Sequence, residues 1–246
     1  MGRTLFSIYI WFGYGVSFAL SLIFTTVVFL FTFPFDPHRK APNAVMMFFG
    51  QWMVRLNPFW KIHVFGREKL LEKPFDRIVL ANHQSFMDMP LLATLPVNMK
   101  WVSKKEMFRI PVAGWLMSMC GHISVERGSK KAARSLDNVD KPVKAGVPVM
   151  IFPEGTRSRD GNMRDSFRKG AFHAAKRFGL TLQPIVLEGT HNAFPPDGWR
   201  LNSTGNMYIS VLDPIHPDDF ESVDELTEHT YDVIKKEWLR LKELPA

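Results

Sequence analysis

From Thr4 to Phe35 the chain runs for 32 residues without an Asp, Glu, Lys or Arg. About 20 apolar residues suffice for a helix to cross the hydrocarbon core of a bilayer. This run therefore favours architectures whose amino-terminus meets a membrane, over a buried helix of a soluble protein, which its length and aromatic load disfavour. A signal peptide has a shorter apolar core, roughly 7–15 residues, followed by a small-residue cleavage site. Here Phe-rich sequence continues to Phe35 and no such site follows, which favours a retained anchor. A second apolar stretch, residues 41–60, carries one charge, Arg55, and fits an interfacial or membrane-dipping helix. His38, Arg39 and Lys40 lie between the two, with Arg55 and Lys61 after them. Lys and Arg collect on cytoplasmic flanks, so this bias predicts a following domain that faces the cytoplasm, at the inner membrane in a bacterium. Arg3 competes weakly from the other end. The two apolar stretches fit either a crossing helix or a hairpin dipping into one leaflet.

From residue 61 the pattern changes to short apolar runs alternating with polar stretches. Strands are expected at 61–66, 77–81, 99–103, 122–125, 148–152, 183–187 and 207–212. Several are uninterrupted apolar runs, as in strands buried on both faces. Helices are expected at 87–94, 106–119, 129–141 and 169–178, with Pro142 ending the third. Ser222 and Glu225 form a capping box, after which Leu226, Ile234, Trp238 and Leu241 recur near helical spacing. The expected fold is α/β: a layered fold with a mainly parallel, mixed sheet of about seven strands flanked by helices, preceded by N-terminal membrane helix or helices. Residues 1–60 form the anchor and residues 61–246 the α/β domain.

Charge narrows the partners. The chain holds 31 Lys and Arg against 24 Asp and Glu, and residues 100–177 alone carry 17 − 7 = +10. Such a field suits an anionic small substrate or an anionic lipid surface. Nucleic acid is not expected, because no stacking or groove-reading motif is interleaved with the basic residues. The single cysteine, Cys120, excludes an intrachain disulfide and a zinc site built from several cysteines.

Four stretches carry candidate chemistry. In "NHQSFMD" His83 follows a strand and precedes Asp88 by five residues. Either His83 is a base held by Asp88, or Asn82 and Asp88 are turn and cap residues and His83 is a bystander. In "GHISVERG" Arg127 suits a forked phosphate contact, and His122 reads as a structural histidine. In "FPEGTRSRDG" Pro153 stops a strand, Gly155 permits close backbone approach, and Thr156 and Arg157 add a hydroxyl and a guanidinium. It has no P-loop spacing, and a solvated surface turn is the alternative. "LQPIVLEGT" is core strand or the wall of an apolar tail pocket.

Taken together and in this order, the stretches resemble the glycerophospholipid acyltransferases, nearest to the 1-acylglycerol-3-phosphate acyltransferases. The matching blocks are Asn82-His83 with Asp88, Gly121-Ile123-Arg127, Phe152 to Ser158, and "LQPIVL", within residues 60–215. The resemblance implies transfer of a fatty acyl group from a thioester to the 2-hydroxyl of 1-acylglycerol-3-phosphate, giving phosphatidic acid. It makes His83 the general base and Asp88 its orienting partner, triad logic without a serine. Lys105, beside Glu106, would hold the acceptor phosphate with Arg127 and Arg157, while Glu154, Gly155 and Thr156 complete the acceptor site. No bound cofactor and no metal are implied; acyl-coenzyme A or an acyl carrier protein thioester is the co-substrate. The implied partners are the bilayer, lysophosphatidic acid and that donor. Arg168 stands where the family pattern has Lys, which alters the fork geometry. The rivals are an enzyme using glycerol-3-phosphate or another lysophospholipid, a Cys120-His acyltransferase, and a membrane-anchored binder of anionic lipid.

Overall fold

The computed structural model describes residues 2–70, 76–126, 136–195 and 198–245. Two helices open the chain, α1 (Arg3–Thr32) and α2 (Lys40–Arg55). All seven expected strands are present: β1 (Trp60–Phe65), β2 (Ile78–Ala81), β3 (Lys100–Lys104), β4 (Ile123–Val125), β5 (Val149–Ile151), β6 (Leu182–Glu188) and β7 (Gly205–Val211). They form one sheet in the order β1-β7-β6-β2-β5-β3-β4. Every neighbouring pair is parallel except β6 with β7.

The uninterrupted apolar runs are explained by two cores, one on each face of the sheet. Along β2, Val79 and Ala81 enter one core and Ile78 and Leu80 the other. β5 divides the same way, with Met150 on one face and Val149 and Ile151 on the other. The period-2 alternation of a strand is preserved, but both faces are apolar. Full burial of one such side chain contributes about 1.5–3 kcal/mol, so the central strands hold the layers together.

The first core is closed by α1, α2 and the short α3 (Asp88–Leu92). Phe6, Ile10 and Tyr14 of α1 are buried in it, and Tyr14 Oη donates to Met87 Sδ at 3.3 Å. The second core is closed by α6 (Gly170–Phe178) and α8 (Val223–Lys242), numbering after α4 (Ala113–Met119) and α5 (Asp140–Lys144); α7 is Thr190–Ala193. Leu226, Ile234, Trp238 and Leu241 of α8 are buried there as the spacing predicts. Ser222 Oγ accepts from Glu225 N–H, and Glu225 Oε2 accepts from Glu221 N–H, one residue before the cap.

Two helix expectations need correction. The 106–119 helix is interrupted: a 3₁₀ turn (Lys105–Arg109) precedes α4, and Val112 between them has φ +65°. Ala113 N donates to the Pro111 carbonyl across Val112, a γ-turn that no helix accommodates. Pro142 does not end a helix but stands in the first turn of α5. There its missing N–H is one of the amides a helix leaves unpaired anyway. The 129–135 part of the expected third helix lies outside the described residues.

Lys100 on β3 is also not where its charge suggests. It is 1% exposed. Nζ donates to the Arg39 carbonyl at 2.8 Å and to the Cys120 carbonyl. Burial lowers its pKa to about 8. This cation joins the α1–α2 connection to the domain interior instead of standing on the surface.

Candidate active site

β2, β5 and β6 are parallel neighbours, so the segments leaving Ala81, Ile151 and Glu188 emerge at one edge of the sheet. The carboxyl edge of an open parallel sheet is where ligand-binding residues gather. The first of these segments begins with Asn82, which is fully buried. Its side-chain amide donates to Leu187 O and accepts from Leu187 N, both at 2.8 Å. Beyond its place in the turn, the amide adds one rung of pairing between β2 and β6.

The chain then turns, and the turn is built around Asp88 at the start of α3. Asp88 is fully buried, and its Oδ2 accepts from Gln84 N at 2.7 Å and Ser85 N at 2.9 Å. The same oxygen lies 2.7 Å from His83 Nδ1. A carboxylate only accepts, so Nδ1 carries the hydrogen, and in the neutral ring the lone pair lies on Nε2. Both sequence readings of Asp88 are thus realised at once: it organises the turn, and it holds the imidazole. The ring plane is set by Phe152, stacked on His83 at 3.9 Å between centroids and 11° between planes. The His83 side chain is 14% exposed, so the ring is held yet reachable.

The "FPEGTR" segment is joined to His83 through the backbone. His83 N–H donates to Glu154 Oε1 and His83 O accepts from Ser158 N, each at 2.8 Å. Glu154 Oε2 accepts from Arg164 N at 3.1 Å. Burial pushes the Glu154 carboxyl up to about 7; the His83 and Arg164 amides oppose that shift, and the nearby Asp88 charge adds to it. Gly155 has φ +74°, and a Cβ there would collide with Arg168 Nε. Only glycine both adopts that backbone and admits the Arg168 side chain. Thr156 and Arg157 are exposed on the same turn. Lys105 is exposed at the carboxyl end of β3, on the same edge of the sheet. Arg127 lies outside the described residues.

Two groups singled out in the sequence take no part in this arrangement. His122 is buried, and its Nδ1 accepts from Trp101 N at 3.1 Å. Burial, with Lys100 beside it, holds its pKa well below the usual imidazole value. Cys120 is buried with Sγ against the Pro42 carbonyl at 3.5 Å, and burial pushes its thiol up to about 12. A thiol so far from ionisation is a poor nucleophile.

Sequence reasoning placed one feature elsewhere, an apolar pocket walled by "LQPIVLEGT", and missed another; 182–187 are core strand and line no part of the cavity described here. The first is an apolar cavity of about 170 Å³ between the helical hairpin and the sheet. Phe18 of α1, Met47 and Gly50 of α2, Met89 of α3, Trp101 of β3 and Leu116 of α4 line it. Trp101 stacks on Phe152 at 6.4 Å, so a row of rings leads from His83 to the cavity wall. The other is Thr190, which touches Asp88 and is described below. Neither has a local sequence signal, because each is made by segments distant in the chain.

A buried carboxylate, an imidazole held by it, and an apolar chamber with a row of rings between it and His83 suit proton abstraction beside a greasy ligand. The acyltransferase family model matches residues 61–188, which run from β1 to the end of β6. The chain belongs to this acyltransferase family. It is 33% identical to the chloroplastic 1-acyl-sn-glycerol-3-phosphate acyltransferase LPAT1 of Arabidopsis thaliana, over 82% of this chain and 56% of that protein. It is 30% identical to the 1-acyl-sn-glycerol-3-phosphate acyltransferase of Haemophilus influenzae, over 83% of this chain and 85% of that one. The crystal structure of the 1-acyl-sn-glycerophosphate acyltransferase PlsC of Thermotoga maritima is similar along the full length of both chains, with a TM-score of 0.81 and 26% identity. Against the plant and algal relatives the chain spans 51–63% of their length.

Proposed function

We propose that this protein transfers a fatty acyl group from a thioester to the 2-hydroxyl of 1-acylglycerol-3-phosphate, giving phosphatidic acid. The observation that carries the reading is the 2.7 Å contact of His83 Nδ1 with Asp88, which leaves Nε2 as an open base. Nε2 takes the proton of the acceptor hydroxyl as its oxygen attacks the thioester carbonyl. A C–O bond forms, the tetrahedral adduct collapses, and the C–S bond breaks. The departing thiolate recovers the proton from the imidazolium, whose charge Asp88 balances. No acyl-enzyme is needed. Arg157, Arg127 and Lys105 hold the acceptor phosphate, with Thr156 on the same turn. Glu154 and Gly155 shape the acceptor site by fixing its loops. The acyl chain of the donor, acyl-coenzyme A or an acyl carrier protein thioester, occupies the apolar cavity.

The outward surface of the hairpin supports the membrane part of the reading. α1 is long and apolar enough to cross a bilayer. Phe12, Ile23, Leu30 and Phe31 of α1 and Phe48 and Trp52 of α2 are exposed. Apolar surface of that extent is accounted for by lipid. The basic flanks of the hairpin support a cytoplasmic orientation of the domain.

The test is purified protein given a labelled acyl donor and a panel of acceptors. 1-Acylglycerol-3-phosphate should be acylated ahead of glycerol-3-phosphate and of other lysophospholipids; preference for the unacylated acceptor sinks the assignment. His83→Ala should lower turnover by about 10²- to 10⁴-fold while membrane association stays as in the wild type. Wild-type turnover in His83→Ala removes His83 as the base. Lipid binding without any acyl transfer by the wild-type protein leaves only an anionic-lipid binder.

A further inference from the structure

Asp88 has a second oxygen. Oδ2 is filled by His83, Gln84 N and Ser85 N, while Oδ1 faces the hydroxyl of Thr190 at 2.5 Å. Thr190 is fully buried. It stands two residues past the end of β6 and opens α7, yet its hydroxyl is turned away from that helix toward α3. Gln84 Oε1 also lies 3.2 Å from the same hydroxyl. A hydroxyl has one hydrogen to give, and the shorter, charged acceptor takes it. Gln84 is itself held from its other end, where Nε2 donates to Glu188 Oε2 at 2.7 Å and to Gly161 O at 3.1 Å. The amide is thereby turned so that its carbonyl, not its NH₂ group, faces Thr190.

We infer that Thr190 is a positioning residue for the His83–Asp88 pair, its hydroxyl donating to Asp88 Oδ1 in preference to the neutral Gln84 carbonyl. This rests on the reading of His83 as the base. Of the two acceptors beside the Thr190 hydroxyl, the nearer and charged Oδ1 is the stronger and holds its hydrogen. With both oxygens bonded, the Asp88 carboxylate cannot rotate, and the hydrogen bond that keeps His83 Nε2 open stays in line. A carboxylate bonded at one oxygen would swing about its Cβ–Cγ axis, and small errors of aim at a general base cost rate steeply. The Thr190 hydroxyl also shares the Asp88 charge. Without it more of that charge falls on His83 Nδ1–H, and the imidazolium becomes easier to form.

The experiment uses the full chain in detergent or vesicles, with 1-acylglycerol-3-phosphate and an acyl thioester. Thr190→Val keeps the shape and removes the hydroxyl; Thr190→Ala removes it with less bulk, should the valine distort the fold; Thr190→Ser keeps it. Loss of the hydroxyl should lower kcat by about 10- to 100-fold with the Michaelis constants of both substrates nearly unchanged, and Thr190→Ser should restore most of the loss. The His83 imidazole, followed by NMR titration, should titrate at higher pH in the variants lacking the hydroxyl and as wild type in Thr190→Ser. The other ionisable groups around the pair, Glu154 on the β5 loop, Glu188 at the end of β6 and Arg164, are unchanged in all three. A serine variant as slow as the valine one assigns Thr190 to packing alone and overturns the inference. So does wild-type kcat with unmoved titration in Thr190→Val or Thr190→Ala. If His83→Ala is itself active, the base assignment fails first; if it is inactive while Thr190→Val is normal, only the present inference fails.

Discussion

At Asp88 one side chain does two jobs that a substitution separates. In Asp88→Asn, the Gln84 and Ser85 amides still require an oxygen at the Oδ2 position. The new NH₂ group then faces Thr190, whose oxygen accepts it while its hydrogen turns to Gln84 Oε1. The turn and the His83 Nδ1–H bond both survive, and only the charge is lost. We predict a melting temperature close to wild type and a kcat lower by about 10²- to 10⁴-fold, the difference being the charge that stabilises the imidazolium. Glu154 gives a pH prediction. Its folded pKa, about 7, is above its unfolded value, so its contribution is fully present below the unfolded pKa and is lost as pH rises through 7. The wild-type melting temperature should therefore fall relative to Glu154→Gln between pH 5 and 8; parallel curves for the two proteins contradict the buried carboxylate. The five-residue spacing of His83 and Asp88 left a base pair and plain turn chemistry both open, and it was the order of the four blocks that pointed to the pair. Thr190 was not legible, since it reaches Asp88 across 102 positions in sequence from what looked like the end of an ordinary core strand.

Among the elements, the strands were the easiest to read. Each is a short apolar run, and the two cores explain why the runs lack polar alternation. The helix expected over 106–119 is broken by the γ-turn after Pro111, which the apolar content of the stretch does not reveal. Asn82 is an element-level residue disguised as a turn residue. Its amide supplies both a donor and an acceptor to Leu187 from two separate atoms, as a backbone peptide group does. Asn82→Asp replaces the donor by an oxygen facing the Leu187 carbonyl. Breaking a buried bond in this way costs about 1–3 kcal/mol or more. We predict a melting temperature lowered by several degrees and a loss of activity that accompanies it, because β2 and β6 each deliver a residue to the Asp88 cluster. An Asn82→Asp variant as stable as wild type would show that the two strands are aligned by their backbones alone.

On the scale of the molecule, the hairpin and the sheet share one core. Removing residues 1–32 uncovers the apolar surface that Phe6, Ile10 and Tyr14 cover. We predict that the shortened chain does not yield a soluble, monomeric domain, as judged by gel filtration and near-ultraviolet circular dichroism; a folded, soluble product would show that the anchor is dispensable to the core. Lys100 sharpens the point. A loose linker lets a domain wander over a distance that grows with its length. Here the connection between α1 and α2 is pinned, at the Arg39 carbonyl, to an ammonium group inside the sheet that also holds the Cys120 carbonyl. The hairpin is a fixed mount, not a leash. On the proposed seating of the hairpin in lipid, the height of His83 above it is a dimension of the protein, set once on folding, and substrates must come to that depth.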